Sequence, residues 1–207
     1  MRALFALLLV MVASPAIAGD LLVQVRQFNG APVPNAVVSL YPAGRPAPLP
    51  ANPGAYQITQ RDLQFSPFVL VVPVGAQISF PNLDPVQHHV YSFSPVRRFE
   101  LRLYAREQSR SVRFDRTGIV PLGCNIHDSM IAFINVADTG LAARTDGNGR
   151  VLFANAPAGP VVARLWHPWL RVPGNQAQFQ WTIPASGREG RLVTVNLRPP
   201  PASARTY

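Results

Sequence analysis

The chain has no lysine and a single cysteine in 207 residues, and it sets only ten acidic side chains against nineteen arginines. After the first eighteen residues, no apolar run reaches the roughly 20 residues that a bilayer-spanning helix needs, so no membrane insertion is expected. One cysteine cannot form an intramolecular disulfide, and whatever Cys124 does, it is not a staple. Charged residues make up only 14% of the chain against 48% apolar, which excludes disorder throughout. The 22 prolines oppose long helices, because an interior proline removes a backbone donor and clashes with the preceding turn.

Residues 1–18 read as a secretory signal: Met1-Arg2, an apolar run from Leu4 to Val12, and a small-x-small cleavage site at Ala16-Ile17-Ala18. Export implies a periplasmic location, where an unpaired thiol is a liability unless it is buried or coordinated. The remaining chain keeps a charge of +8 by count, 18 arginines less 10 acids. Seven arginines (Arg97, Arg98, Arg102, Arg106, Arg110, Arg113, Arg116) crowd into twenty residues with Glu100, Glu107 and Asp115. No reading motif for nucleic acid accompanies them, and an exported chain would not meet that partner. They are either a solvated basic face or a docking surface for an acidic protein.

Short segments of period-two or β-branched character recur: 21–26, 36–41, 68–72, 77–80, 111–114, 131–136, 161–166 and 192–197. Each is bounded by Gly, Pro, Asn or Asp. The one stretch suggesting a helical turn is Glu100 to Arg106. The expected class is all-β and sandwich-like. Residues 20–45 contain Gly30 to Val38 (GAPVPNAVV), and residues 139–200 contain Thr145 to Gly149 (TDGNG) and Pro157-Ala158-Gly159. Together these resemble the motifs of the transthyretin-like or carboxypeptidase-regulatory β-sandwich. That resemblance implies one small sandwich made of both flanks, with residues 56–138 inserted as a second domain.

The inserted section holds Cys124 and three of the four histidines, His88, His89 and His127. In Gly123-Cys124-Asn125-Ile126-His127-Asp128-Ser129-Met130 a thiol, an imidazole and a thioether follow one another at spacings of three. The segment lies between predicted strands 118–122 and 131–136, and His88-His89 begins another. One cysteine, two histidines and a methionine form the donor set of a mononuclear type 1 copper site: thiolate suits Cu(I), imidazole suits both oxidation states, and a weak thioether tunes the potential. Zinc rarely takes methionine, and iron–sulfur clusters need more cysteines. A buried cysteine, a core methionine and a loop histidine can also occur together without any metal.

Residues 56–138 resemble the cupredoxin family, through the approach segment 68–80 followed by Asn82, through His88 to Pro95 (HHVYSFSP) and through Leu122 to Met130 (LGCNIHDSM). The short C-x2-H-x2-M loop is similar to that of the amicyanin branch. The resemblance implies a Greek-key β-sandwich with Cys124, His88 and His127 as equatorial copper ligands and Met130 as the long axial one. It makes Asn82 a support that ties the ligand loop to its neighbour. The family pattern His-Asn-Val is here His88-His89-Val90, so two imidazoles compete for one position. Adjacent strand residues face opposite ways, and alignment favours His88, leaving His89 near the mouth or hydrogen-bonding the site from behind.

Similar exported proteins are often labelled methylamine utilization proteins. The implied role is one-electron transfer with a transient acidic redox partner and no substrate chemistry, so not an enzyme. Periplasmic Cu(I) storage or delivery is a competing reading. So is a carbohydrate- or protein-binding sandwich carrying a degenerate cupredoxin domain. Trp166-His167-Pro168-Trp169 is read as the aromatic end of a core strand ahead of a sugar-binding surface. Turn roles suffice for Asp84, Asp115, Asp128 and Asp138.

Overall fold

The computed structural model describes residues 18–201. The expected signal segment lies outside the described residues except for Ala18. The chain is all-β. It runs through β1 (Ala18–Gln27) and β2 (Val37–Pro42), and then through the short β3 (Ala55–Gln57), β4 (Thr59–Arg61) and β5 (Gln64–Ser66). Next come β6 (Val69–Pro73), β7 (Ala76–Pro81), β8 (His88–Ser92), β9 (Phe99–Tyr104), β10 (Ser109–Phe114), β11 (Gly118–Cys124) and β12 (His127–Ala137). It closes with β13 (Ala142–Arg144), β14 (Arg150–Pro157), β15 (Gly159–Trp166), β16 (Gln176–Ile183) and β17 (Arg188–Val195).

Strands from the two ends of the chain pair with one another, as sheets β14-β1-β17 and β13-β2-β15-β16. Alternation decides which side chains they bury: Leu21, Val23 and Val25 of β1 face Val38, Leu40, Ala163 and Leu165 across one core. Thr145 joins the halves. Its hydroxyl accepts from the Ala36 N–H at 2.9 Å and donates to the Val33 carbonyl at 2.8 Å. In the turn that follows, the Asp146 carboxylate accepts from the N–H groups of Asn148 and Arg150. Gly149 has φ +71°, and a Cβ there would stand 2.4 Å from the Val25 carbonyl oxygen, so only glycine fits.

Strands β3 to β12 pair among themselves, as sheets β6-β12-β11-β8-β9 and β10-β7-β3 with the β4-β5 hairpin. Between them lie Ile58, Phe65, Ile78, Phe80, Val90, Phe114, Val120 and Ile134, and the same cluster takes in Cys124 and Met130. The two units meet along an aromatic seam. Trp166 packs with Val37 and Val69, and Phe133 stands 5.7 Å from Trp166 and 5.8 Å from Trp169 between ring centroids. His167 is buried at this corner, where its Nδ1 accepts from the Trp169 N–H and its ring bonds the Pro34 carbonyl. Burial drives its pKa down to about 4, so it stays neutral.

Two expectations are corrected. The stretch from Glu100 to Arg106 is not a helical turn: residues 99–104 form β9, paired with β8 at the edge of the five-stranded sheet. An edge strand has one partner, and the exposed Leu103 beside Arg102 breaks its alternation, which hides it in the sequence. The Cys124 segment is also not one open loop. Only Asn125 and Ile126 turn, while Cys124 ends β11 and His127 to Met130 already belong to β12.

Candidate metal centre

Adjacent strands of one sheet carry the cluster. Cys124 pairs with Val90 on β8 and with His127 across the tight turn, so the ends of β8, β11 and β12 converge. On β8, His88, Val90 and Ser92 point into the core, and His88 is 0% exposed. His89 points the other way and places Nε2 2.9 Å from the Glu100 carboxylate, while its carbonyl accepts from the Asn125 N–H. Alternation thus puts His88 at the cluster and His89 on the opposite face.

The Cys124 Sγ, 3% exposed, lies 3.8 Å from Nδ1 of His88 and 3.5 Å from Nδ1 of His127, and one donor atom from each residue falls within 4.8 Å of the others. Metal bonds of about 2.0 Å to nitrogen and about 2.3 Å to sulfur, opened at about 110–120°, separate the two donors by roughly 3.5–3.7 Å. The three groups are therefore spaced to be bridged by one ion. Met130 is fully buried in the same apolar cluster as Cys124, three residues past His127 on β12.

Asp84 is the residue that sequence reasoning missed. It sits four residues before His88 and is itself buried, and its Oδ2 lies 2.7 Å from His88 Nε2. The far side of the ring is thus fixed, and Nδ1 is left facing the sulfur, the arrangement that metal-bound histidines commonly have. The carboxylate also accepts the N–H groups of Asp62 and Leu63 from the β4-β5 turn. The signal available in the sequence was the Asp84-x3-His88 spacing, which has meaning only once the loop between them is folded. Asn82, expected to tie the ligand loop to its neighbour, organises the loop before His88 instead. Its amide donates to the carbonyls of Val86 at 2.8 Å and Tyr104 at 3.0 Å, and accepts from the Asp84 N–H. Behind it, the Tyr104 hydroxyl and the Gln60 amide both bond the Phe80 carbonyl and each other.

The electrostatics suit a cation. Burial alone would raise the Cys124 thiol, yet contacts from His88, from the N–H groups of His89 and Ile126 and from His127 bring it from 9.0 to about 6. Burial would likewise depress His88, but Cys124 and then Asp84 outweigh it and raise the imidazole. The Asp84 carboxyl, which burial would raise, is held below its usual value by His88 and by the Leu63 and Asp62 N–H groups. A thiolate and a carboxylate thus share one buried imidazole, and a metal ion can replace the proton that links them.

A thiol beside an imidazole backed by a carboxylate is also the arrangement of a cysteine nucleophile. Here the sulfur is buried and flanked by a second imidazole.

No family model and no curated protein matches the chain. Among solved structures it is similar to a purple cupredoxin from Nitrosopumilus maritimus at 20% identity and a TM-score of 0.37, covering 40% of this chain and 99% of that one. It is similar to a Cu(I) form of an amicyanin variant at 21% identity and a TM-score of 0.38, over 50% of this chain and 99% of that one. It is also similar to a copper-containing nitrite reductase from Thermus scotoductus at 21% identity and a TM-score of 0.39. That likeness covers 46% of this chain but only 26% of the reductase. Among the described residues no helix is long and apolar enough to cross a membrane.

Proposed function

We propose that this chain is a periplasmic copper protein with one mononuclear type 1 site, exchanging single electrons with an acidic redox partner and transforming no substrate itself. The observation that carries the reading is the buried Cys124 sulfur between two imidazole Nδ1 atoms at 3.5 and 3.8 Å, with Asp84 bracing one ring from behind. Cys124, His88 and His127 would hold the ion, with Met130 as the weak thioether donor. Copper in such a donor set supplies one-electron exchange between Cu(I) and Cu(II).

The protein's own contribution is rigidity and exclusion of water. Two ligands end paired strands across a two-residue turn, and the third begins the neighbouring strand, so the donors keep their separation whichever oxidation state is bound. The buried sulfur is shielded from oxidation, while the partly exposed His127 brings the site to the surface. Soft thiolate and thioether donors favour copper over zinc.

Copper storage or delivery gains less support, because His89, which would assist handover, is held on the opposite face by Glu100. The sugar-binding reading loses one of its two tryptophans, since Trp166 is buried in the seam between the units. The test is copper loading of the purified protein with metal analysis and an optical spectrum. An intense visible thiolate-to-copper band is expected, and Cys124→Ser should abolish it. A band that survives the substitution sinks the assignment.

A further inference from the structure

The inner face of the five-stranded sheet carries the metal cluster, but its outer face is only half covered. Phe133, Ile119 and Val71 lie under the flanking unit at the aromatic seam. Beyond them an open groove of about 500 Å³ remains, lined by Tyr91, Phe93, Pro95, Pro121 and Gly123 among others. Phe93 is 71% exposed, with its ring 4.9 Å from that of Tyr91. A tilted aromatic pair left on the surface is a feature of interaction sites more than of solvated sheets.

Tyr91 lies against Gly123 so closely that a Cβ there would meet its ring at 2.9 Å, and Gly123 is bonded directly to Cys124. The rim is basic. Arg97 and Arg98 are exposed in the turn after β8, with the Arg98 guanidinium 5.8 Å from the Phe93 ring centroid. Arg116, in the turn before β11, donates to the Pro95 carbonyl at 3.1 Å. Among the described residues none of these three arginines has a carboxylate within ion-pair distance, whereas Arg106 faces Glu107 and Arg113 faces Asp115. Glu100, across from Tyr91 on β9, is taken by His89.

We propose that this groove is where the acidic redox partner docks. Its carboxylates would meet Arg97, Arg98 and Arg116, and an apolar segment would cover Phe93 and Tyr91, which places the partner over Gly123, one residue from the sulfur. The proposal rests on the electron-transfer reading above for the partner's identity, and on the paired aromatics and uncompensated arginines for its location. It separates the docking face from the outlet at His127, where Val86 and Ile126 are exposed without an arginine nearby in sequence. A small, charge-steered contact of this kind suits a transient complex.

The experiment is amide NMR on the 15N-labelled full chain, metal-free and copper-loaded, titrated at low salt with a plant-type [2Fe–2S] ferredoxin as the acidic redox probe. Broadening is expected at Tyr91, Phe93 and Gly123 in both forms. Arg97→Glu with Arg98→Glu should weaken binding about tenfold and flatten its salt dependence, and Phe93→Ala should weaken it several-fold. Broadening centred on Val86, Ile126 and His127, affinity unchanged by either variant, or no binding at all overturns the proposal. Failure of the copper reading shows separately, as a metal-loaded sample without a visible band, and leaves the metal-free mapping readable.

Discussion

Thr145 and His167 in the flanking unit, and His88 and Cys124 in the central one, are all buried polar side chains, yet they direct their hydrogen bonds to different kinds of partner. Thr145 and His167 bond backbone groups, those of Val33, Ala36 and Pro34 on a distant segment and that of Trp169 close by, and so hold strands together. His88 and Cys124 face each other and His127, with Asp84 bonded to His88 from behind and the N–H groups of His89 and Ile126 on the sulfur. A buried group satisfied by backbone contributes to the fold, whereas groups that satisfy one another only loosely, at 3.5–3.8 Å, are arranged for something that can come between them. Substitutions in the first set should be read in stability and substitutions in the second in metal binding.

The widest separation is expected at the seam. Trp166→Ala removes a large buried side chain joining the units and should cost about 3–5 kcal/mol in chemical denaturation. The copper spectrum should be unchanged, because the ring lies on the opposite face of the sheet from the cluster. A cost below about 1 kcal/mol would show that the seam does not couple the two units.

His167 sharpens the contrast through pH. Its folded pKa of about 4 lies below the ordinary 6.5, so between those values the unfolded chain binds the extra proton. Stability therefore falls as pH drops from 6.5 to 4, by about 3 kcal/mol from this residue alone. The difference in slope between the parent and His167→Gln measures it, and parallel slopes would refute it.

Asp84→Asn should give the smallest loss of stability and an effect of the opposite kind. It removes the charge behind His88 while leaving one side-chain oxygen that can still accept from the Asp62 N–H. Copper affinity is expected to fall about 10–100-fold, with a shifted visible band and little change in unfolding midpoint. An unaltered affinity would reduce Asp84 to a loop residue, the role that its sequence context suggests.

Much of this was legible in the residues. Alternation marked β1, β7, β12 and β15 because each buries one face against a continuous core, and a continuous apolar run marked β2, which is buried on both faces. The spacing of Cys124, His127 and Met130 drew attention to the right turn, and period two separated His88 from His89. What stayed hidden depends on contacts across the sheet. β9 is an edge strand rich in exposed arginine and leucine, β16 alternates without one fully buried position before Ile183, and neither pattern stands out from loop composition. Asp84 and Asn82 act through a folded loop and not through periodicity. Nor could the sequence show that Trp166 sits between two units, since a buried aromatic reads the same in a core and at a seam.

The pairing of β1 sets an order on the making of the molecule. Its neighbours are β14 on one side and, in parallel, β17 on the other, whereas each strand from β3 to β12 finds its partners within that stretch. A chain emerging from its N-terminus must therefore keep β1 unpaired while the whole central unit is made, and the loop that finally closes spans nearly everything between. Entropy of closure rises only slowly with loop length, and a loop already collapsed into a folded body is shorter still. The metal-bearing unit can thus be complete before the sandwich around it, and its early folding brings the two ends of the chain within reach of each other.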